Sequence, residues 1–436
     1  MTVDLRDLQG NVLRAYGTAF AHAAYLFVRV ADPAAGRAWL AELCGQVTSD
    51  EPWPHGHKPA HTLNVALTAD GLRAIGAPKQ VVDAFPADFS QGMAARAEIV
   101  GDAGESHPQN WERPLRQPQV LLIAMAHEAG SLGKRVGELG ARIHAAGGGL
   151  ALDHVQRAAA LEGKREHFGF ADGFSQPAIQ GEAGPLTRNG MGTPEPDGQW
   201  SEVAPGEFVH GYPGEDGAPS GGPPPPLHRS GSFMVWRKLR QDVAGFDDYA
   251  RRAAAQLGIP EGTVKAKMVG RWQDGRSLAV SDRPEPADRR ELDPHRINDF
   301  RYGTEVGFCP LGAHVRRANP RDALGFDGLL TKRHRIIRRG MPYTDDGEVG
   351  LIFACYQADI ARQFEFIQAR WMNDGDPFWI GAEKDPLTMA GERMTIQGSP
   401  PTFLAPLASF VTTKGGGYFF VPGLSGLRAL AAAYWR

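Results

Sequence analysis

The chain has 436 residues, of which 42% are hydrophobic and 22% are charged, so its composition is that of a folded globular protein rather than a disordered or fibrous one. This length is sufficient for two domains or for one large compact body. The formal net charge of -3 at pH 7 argues against a nucleic-acid partner, because proteins that bind nucleic acids present a basic face.

The N-terminal segment "MTVDLRDLQGNVLRAYG" lacks the basic and apolar regions of a signal peptide. No apolar run in the chain approaches the length that spans a membrane. The three cysteines, Cys44, Cys309 and Cys355, are too few for a paired disulfide framework, and none lies in a CxxC motif. The sequence therefore predicts a cytoplasmic protein with buried, reduced thiols and no membrane attachment.

Hydrophobic periods of 2 and 3.6 residues alternate through the first half of the chain, which is typical of strands alternating with helices. The predicted strands are 23–30, 61–68, 119–127 and 151–161, and the predicted helices are 34–43, 69–76 and 131–146. From Gly181 onward the composition becomes rich in turn residues, and the segment 212–231 contains four consecutive prolines after a glycine-rich run. Such a segment cannot form a helix or a central strand, so it predicts a surface loop or linker.

Regular patterns resume after this break. The predicted strands are 232–239 and 350–357, the predicted helices are 243–258, 359–372 and 423–435, and a hairpin-like pair is predicted over 407–422. Both halves thus repeat strand–helix–strand units whose strands suit antiparallel pairing. The pattern favours two related α+β units, each a sheet with helices on one face. We predict an N-terminal domain at 1–210, a linker at 211–231 and a C-terminal domain at 232–436.

Several common catalytic motifs are missing from the sequence. It contains no GxGxxG or GxxxxGK[ST] turn, which weakens nucleotide-dependent functions, and no HExxH or CxxC…HxxxH pattern that would indicate zinc. The absence of GxSxG disfavours a serine hydrolase.

Three other segments are dense in chemically useful residues. In "EHFGFADGFSQP" (166–177), Asp172 stands between two glycines that allow tight turns or close approach to a ligand. In "GFCPLGAHVRRANPRD" (307–322), His314 follows small residues that leave room for a flat ligand. In "HRIIRRGMPY" (334–343), Arg338 and Arg339 precede a Gly-Met-Pro turn. Each alone has an ordinary explanation: an Asx turn, a core histidine and a solvated basic face.

Together, these segments resemble the motifs of the dye-decolorizing peroxidase family of haem proteins. The similarity extends over essentially the whole chain, from "DLQGNVLRAYG" to "PTFLAPLASFVTTKGGGYFFVPGLSGLR", in the order that the family has. The longer loops and the C-terminal "GGGYFF" are similar to the larger bacterial and fungal-type branch.

The resemblance implies two ferredoxin-like antiparallel-sheet domains, with one haem b per chain bound in the C-terminal half. Asp172 matches the family's distal aspartate, Arg338 its distal arginine and His314 the axial ligand of the haem iron. Leu351 and Phe353 match its apolar distal-pocket pair. A carboxylate that hydrogen-bonds to the axial histidine is also expected, and Asp385 is our candidate.

Three alternatives stay open for these residues. The arginine register could slip by one residue, which would exchange Arg338 for Arg339. His334 competes with His314 as axial ligand, although its "TKRHRII" setting predicts an exposed side chain. His167 also lies near the distal motif, where we favour a core or supporting role over catalysis.

The resemblance implies a peroxidase that uses hydrogen peroxide to oxidise dyes, phenolics or other bulky reductants in one-electron steps. Its expected partners are hydrogen peroxide, a small-molecule reductant and further copies of itself in a homo-oligomer. Two other functions remain open: a haem or porphyrin carrier that releases its cargo or iron with little turnover, and a structural α+β protein with a vestigial site. Asp172 and Arg338 favour catalysis, because a carrier needs only an axial ligand and contacts to the propionates.

Overall fold

A computed structural model gives the fold, and the residues it describes are 2–14, 16, 19–54, 57–173, 175–181, 190–195, 197–286, 292–293, 296–303 and 307–435. The strands are β1 His22–Val30, β2 His61–Leu67, β3 Val120–Ala126, β4 Leu150–Ala159, β5 Thr193–Pro194, β6 Trp200–Ser201, β7 Ser232–Gln241, β8 Ile337–Arg338, β9 Met341–Asp345, β10 Glu348–Gln357, β11 Met394–Ile396, β12 Thr402–Leu404 and β13 Val411–Val421. The α-helices are α1 Pro33–Cys44, α2 Ala69–Ala74, α3 Lys79–Asp83, α4 Ala87–Gln91, α5 Ala97–Val100, α6 Ala129–Ala145, α7 Val243–Leu257, α8 Glu261–Val269, α9 His314–Ala318, α10 Leu329–Lys332 and α11 Leu424–Ala431. Short 3-10 turns connect several of them.

Among the described residues, nine strands form one antiparallel sheet with the order β4-β1-β3-β2-β13-β7-β10-β8, and β9 pairs with β10 beside β8. The first four strands have the order 4-1-3-2, and β7, β10 and β13 with the short β8 repeat it in the second half. This is the arrangement of a ferredoxin-like unit, so the predicted α+β class with antiparallel sheets is confirmed. The two units meet where Phe420 of β13 pairs with Leu67 of β2.

Both faces of the central strands are buried, which explains the largely apolar sequences of β1, β2, β3 and β7. Along β1, Leu26 and Val28 belong to a core shared with residues of α1, α2, α6 and α11. Tyr25 and Phe27 point to the other face and pack with residues of the irregular N-terminal and 203–212 segments. A third core joins α7 and α8 to Phe168 and Phe170 of the "FGFADG" motif. This third core places a segment of the first half against the second half.

The predicted elements agree with the structure to within a few residues at most positions, with one clear error. The pair predicted over 407–422 is wrong: Val411–Val421 is a single strand with a β-bulge between Thr413 and Gly415, and it pairs with β7 throughout. The glycines mark close packing rather than a turn, since a Cβ atom at Gly416 would lie 2.6 Å from the carbonyl oxygen of Trp236. The helix predicted over 359–372 is wound as π-type turns at Ala361–Glu365 and Ile367–Met372. The sequence did not predict the short elements of the structure, which are α3, α4, α5, α8, α9 and α10 and the strands β5, β6, β8, β9, β11 and β12.

The three cysteines are free thiols, as predicted, but Cys44 is only half-buried whereas Cys309 and Cys355 are buried. Within the described part of the chain, no helix has both the length and the apolar character needed to cross a membrane.

Candidate active site

The three motif segments converge on one cavity of about 310 Å³. The predicted catalytic and haem-pocket residues all line it: Asp172, His314, Arg338, Leu351 and Phe353. The first comes from the N-terminal half and the others from the C-terminal half, so the cavity is assembled by packing between distant parts of the chain.

His314 is the first residue of the short helix α9, and its ring is held by a buried carboxylate. The Nδ1 atom of His314 lies 2.9 Å from Oδ2 of Asp385, which is completely buried. The other oxygen of Asp385 accepts hydrogen bonds from the backbone N–H groups of Leu387 and Thr388 and from the Thr388 hydroxyl. The expected pairing of Asp385 with His314 is thus confirmed. Donation from Nδ1–H leaves Nε2 of His314 as the ring atom that can bind a ligand.

The charges of this pair support each other. Burial alone would raise the pKa of Asp385, but the His314 charge and the hydrogen bonds outweigh burial and lower it to about 2. Burial opposes the charged form of His314, yet the negative charge of Asp385 and their hydrogen bond raise the pKa of the imidazole. Asp385 therefore stays ionised and increases the basicity of the His314 ring.

Asp172 and Arg338 form a half-buried ion pair, with 3.4 Å between Nη1 of Arg338 and Oδ1 of Asp172. The backbone N–H of Arg338 donates to Oε1 of Gln176 at 2.9 Å, and its Nη2 lies 3.4 Å from the carbonyl oxygen of Ser175. The segment after Asp172 therefore ties the backbone of β8 to the motif loop, which we define as residues 166–173.

The glycines on either side of Asp172 are required by the shape of the motif loop. Gly169 and Gly173 have φ angles of 90° and 82°, in the left-handed region that side chains disfavour. A Cβ atom at Gly169 would also lie 2.7 Å from Nε2 of Gln273. Both glycines are therefore favoured by their backbone angles, and a side chain at Gly169 would in addition displace the Gln273 amide.

The alternative register of the arginines is decided by the direction of the two side chains. Arg338 belongs to β8 and pairs with Cys355 of β10. Arg339 points elsewhere, because its guanidinium donates to the carbonyl oxygens of Val12 and Leu13 in the N-terminal segment. The structure brings Arg338, and not Arg339, to Asp172.

Leu351 and Phe353 face the cavity because alternate residues of β10 point to opposite faces of the sheet. Ile352 between them belongs to the core on the other face. The neighbouring strand β7 adds Leu239, which is paired with Leu351 and also lines the cavity. Leu239 was not predicted, although the same period of 2 in "FMVWRKL" could have indicated it.

The expectation that His334 is exposed is wrong. Its ring is half-buried and stacks on Phe366 with 3.9 Å between ring centroids and an angle of 9°. Its Nδ1 is hydrogen-bonded to the carbonyl oxygen of Arg362, and burial lowers the pKa of the ring. The π-type segment covers His334. The polar residues next to His334 in the sequence gave no sign of this burial. His334 lines the cavity, but a carbonyl rather than a carboxylate holds its Nδ1.

A core or supporting role stays the favoured prediction for His167. Its Nε2 lies 2.9 Å from the carbonyl oxygen of Tyr343, and His167 is not among the residues that line the cavity.

Four arginines that line the cavity were not predicted for the site, namely Arg237, Arg271, Arg321 and Arg335, and the last two stand out by their partners. Arg321 is buried and donates to the carbonyl oxygens of Asn298 and Phe300, and the half-buried Arg335 donates to those of Met191 and Gly192. Among the described residues, neither has a carboxylate partner. Burial lowers the pKa of Arg321 to about 9 and that of Arg335 to about 10. A buried or half-buried guanidinium that has no carboxylate partner among the described residues favours an anionic ligand beside it.

These features fit a haem. Over the described ranges, Nε2 of His314 has no hydrogen-bond partner, and no cluster of three or more His, Cys, Asp or Glu residues could hold a bare metal ion. The cavity has apolar walls at Leu351, Phe353 and Leu239, which suit a flat macrocycle. The two arginines would meet carboxylate groups at its edge. A single imidazole ligand in a largely apolar cavity is the setting expected for a metal that is held by a porphyrin.

Comparisons with known proteins agree with this geometry. The family model described as "Dyp-type peroxidase, C-terminal" matches residues 272–377. The chain is 30% identical to a dye-decolorizing peroxidase of Mycena epipterygia over 99% of this chain and 88% of that one. It is 31% identical to the multifunctional dye peroxidase DyP2 of Amycolatopsis sp. over 98% of this chain and 96% of the other. A dye-decolorizing peroxidase solved in complex with 2,6-dimethoxyphenol superposes with a TM-score of 0.80 and 26% identity, covering 98% of this chain and 100% of that chain.

Proposed function

The chain belongs to the dye-decolorizing peroxidase family, and we propose that it binds one haem b through His314 and uses Asp172 and Arg338 to oxidise dyes and phenols with hydrogen peroxide. The enzyme is a peroxidase, and the family uses haem. One observation carries the assignment of residues. A single cavity contains both a histidine backed by a buried carboxylate and a carboxylate–guanidinium pair 3.4 Å apart.

His314 and Asp385 together set the properties of the ligand that the protein offers to the haem iron. When bound, haem supplies an iron that can bind peroxide and store two oxidising equivalents. Asp385 holds the His314 ring in one tautomer and raises the electron-donating power of its Nε2. A strongly donating ligand favours cleavage of the O–O bond over simple release of peroxide.

Asp172 moves the proton that cleavage of the O–O bond requires. Peroxide must lose a proton from one oxygen and gain one on the oxygen that leaves as water. A carboxylate held in the cavity can accept the first proton and return it to the second oxygen. Asp172 is suited to this role because it is half-buried on the motif loop, with its side chain directed toward Arg338.

Arg338 stabilises the negative charge that develops as the O–O bond breaks. A guanidinium is a cationic group whose planar N–H donors suit an oxygen that becomes negatively charged. A charge already in position at the start costs no reorganisation during the reaction. The bond from its backbone N–H to Gln176 and the strand pairing of β8 hold it there.

Arg321 and Arg335 are the residues that we assign to the haem propionates. Each is held by backbone carbonyl oxygens, so the guanidinium groups are oriented before the ligand arrives. Binding of two carboxylates would supply the counter-charges that the described residues lack there.

The division of the chain at 211–231 also stays a proposal. Its support is that 211–231 contains no α-helix or β-strand and lies between the two ferredoxin-like units. A cytoplasmic location, consistent with three free cysteines, and a homo-oligomeric state likewise stay predictions.

The test of the proposed function is a visible spectrum of the purified protein before and after one equivalent of hydrogen peroxide, with the haem type and content measured by extraction. We expect one haem b per chain, a Soret band that changes on mixing, and recovery of the first spectrum when a phenol is added. Stable haem with negligible turnover would favour a haem carrier, and the absence of a Soret band would favour a structural protein.

We expect Asp172→Asn to retain haem and the Soret position while slowing the reaction with peroxide about 100-fold, because the amide keeps the volume but loses the basic site. The rate is measured by stopped-flow spectroscopy at equal haem occupancy. An unchanged rate would remove Asp172 from the proton transfer and leave Arg338 as the main catalytic group.

Oxidation of anionic dyes is expected to increase at acidic pH relative to oxidation of neutral phenols. The chain has 50 acidic and 47 basic residues, so protonation of carboxylates changes the net charge from -3 to positive. Attraction of an anionic dye to this surface should raise its kcat/KM relative to that of a neutral phenol by about tenfold between pH 7 and pH 4. The measurement is this ratio as a function of pH, at low and high salt. High salt should flatten the profile. A dye optimum at or above pH 7 would contradict the prediction.

A further inference from the structure

Glu166 is a second carboxylate that lines the cavity, and the steps above do not use it. Its two oxygens accept three hydrogen bonds. The backbone N–H of Phe168 donates to Oε2 at 2.9 Å, and that of Phe170 donates to Oε1 at 2.9 Å. The side-chain amide of Gln241, on β7, donates to Oε2 at 2.6 Å.

The motif loop folds back around this carboxylate. The backbone N–H of Glu166 donates to the carbonyl oxygen of Phe170 at 3.0 Å, and that of Gly169 donates to the carbonyl oxygen of Glu166 at 2.8 Å. The N–H groups of Phe168 and Phe170 point inward to the carboxylate instead of pairing with a strand. Because both phenylalanines are buried, removal of the carboxylate would leave these two donors unsatisfied.

The loop leads directly to Asp172. The backbone N–H of Asp172 donates to the carbonyl oxygen of Lys164 at 2.9 Å, and the backbone N–H of Ala171 donates to the carbonyl oxygen of Gln273 at 3.0 Å. The Glu166 carboxylate fixes the residues immediately before these two bonds. The direction of the Asp172 side chain therefore depends on a turn whose centre is a buried acceptor.

We propose that Glu166 is a positioning residue for the reaction with peroxide: its carboxylate holds the motif loop in the shape that aims Asp172 at Arg338 and the peroxide. The proposal rests on the proposed role of Asp172. The proposal adds that the hydrogen bonds of the loop backbone do not place Asp172 correctly unless position 166 carries an ionised acceptor.

The surroundings of Glu166 favour this role over that of an independent acid. All three donors converge on the carboxylate, so its oxygens are occupied by fixed groups. Gln241 is oriented toward Glu166 alone, since its Oε1 is buried and has no hydrogen-bond partner among the described residues. Burial raises the pKa of Glu166, and the three hydrogen bonds oppose this shift. An amide at this position would offer one acceptor oxygen and would set an NH₂ group against an N–H donor.

The experiment compares Glu166→Gln with Asp172→Asn, with the double variant and with Glu162→Gln. Glu162 is an exposed glutamate just before the motif loop, so Glu162→Gln is a matched control for the change of charge. The rate of reaction with peroxide is measured by stopped flow at equal haem occupancy, and the KM for a phenol is measured at saturating peroxide.

We expect Glu166→Gln to slow the reaction with peroxide about 10- to 100-fold, because small displacements of a catalytic group have effects of this size. The Soret position and the KM for the phenol should stay unchanged, and Glu162→Gln should react like the wild type. In the Asp172→Asn background, Glu166→Gln should have no further effect on the rate. A merely structural role would lower the rate by the same factor in both backgrounds.

The outcomes separate this inference from the proposed function. If Asp172→Asn slows the reaction and Glu166→Gln does not, the inference is wrong and the proposed function stands. If Asp172→Asn has no effect, the proposed role of Asp172 is wrong, and the inference with it. Equal losses in both backgrounds would also overturn the inference.

Gln241→Leu decides the question if Glu166→Gln does not fold. It removes one of the three donors and leaves both backbone bonds to Glu166. We expect a smaller loss of about twofold to tenfold that also disappears in the Asp172→Asn background. A rate equal to that of the wild type would overturn the inference.

Discussion

Replacement of His314 by alanine is expected to lower the haem content of the purified protein at least about tenfold, because the iron loses its protein ligand and keeps only contacts to the macrocycle. The residual complex should lack the spectrum of a histidine-ligated haem. The pairing with Asp385 makes this effect specific, since no other histidine that lines the cavity is held by a buried carboxylate in the described structure. The measurement is haem per chain together with the visible spectrum.

His334→Ala is the matched control for this prediction. His334 lines the same cavity, but its ring stacks on Phe366 and is bonded to a backbone carbonyl. We expect His334→Ala to keep the wild-type spectrum and most of its haem. Loss of haem in His334→Ala with full retention in His314→Ala would transfer the axial role to His334.

The longer strands of the main sheet could be predicted because most of them are dominated by apolar residues, whereas the short β8 and β9 could not. Strand 61–68 was expected and His61–Leu67 is observed, and the helix expected at 34–43 is observed at Pro33–Cys44. Prediction from the apolar pattern fails where one residue type occurs in two different kinds of local structure. Glycine runs such as 415–417 occur in turns and also where a strand packs closely against its neighbours, so the single strand Val411–Val421 was predicted as a hairpin.

The motif residues of the site could be placed from the sequence, but their surroundings could not. Asp172, His314 and Arg338 lie in short motifs with distinctive neighbours, whereas Arg321 and Arg335 resemble solvated charges in the sequence. They become ligand-binding candidates only after packing has buried them or enclosed them beside the cavity. A sequence pattern reports the local setting of a charge, and burial by distant segments is a tertiary property.

The largest effect on the chemical step is expected for Arg338→Leu, which should slow the reaction with peroxide about 100- to 1000-fold, as the loss of one fixed charge donor commonly does. Leucine occupies a similar volume but cannot stabilise the charge on the departing oxygen. Haem content should stay close to that of the wild type, because His314 and the propionate arginines are unchanged. The measurement is the stopped-flow rate of the spectral change at equal haem occupancy.

Arg339→Leu is the matched control for Arg338→Leu, because it removes the same guanidinium group from the next residue. Its guanidinium donates to the backbone of Val12 and Leu13, so its loss should lower the Tm and leave the rate within about threefold of the wild type. The two side chains diverge from adjacent positions, and only Arg338 reaches Asp172. If Arg339→Leu abolished the reaction while Arg338→Leu did not, the 3.4 Å ion pair of Arg338 with Asp172 would not be the catalytic pair. Slowing by Arg338→Leu alone would instead assign charge stabilisation to the guanidinium that faces the cavity.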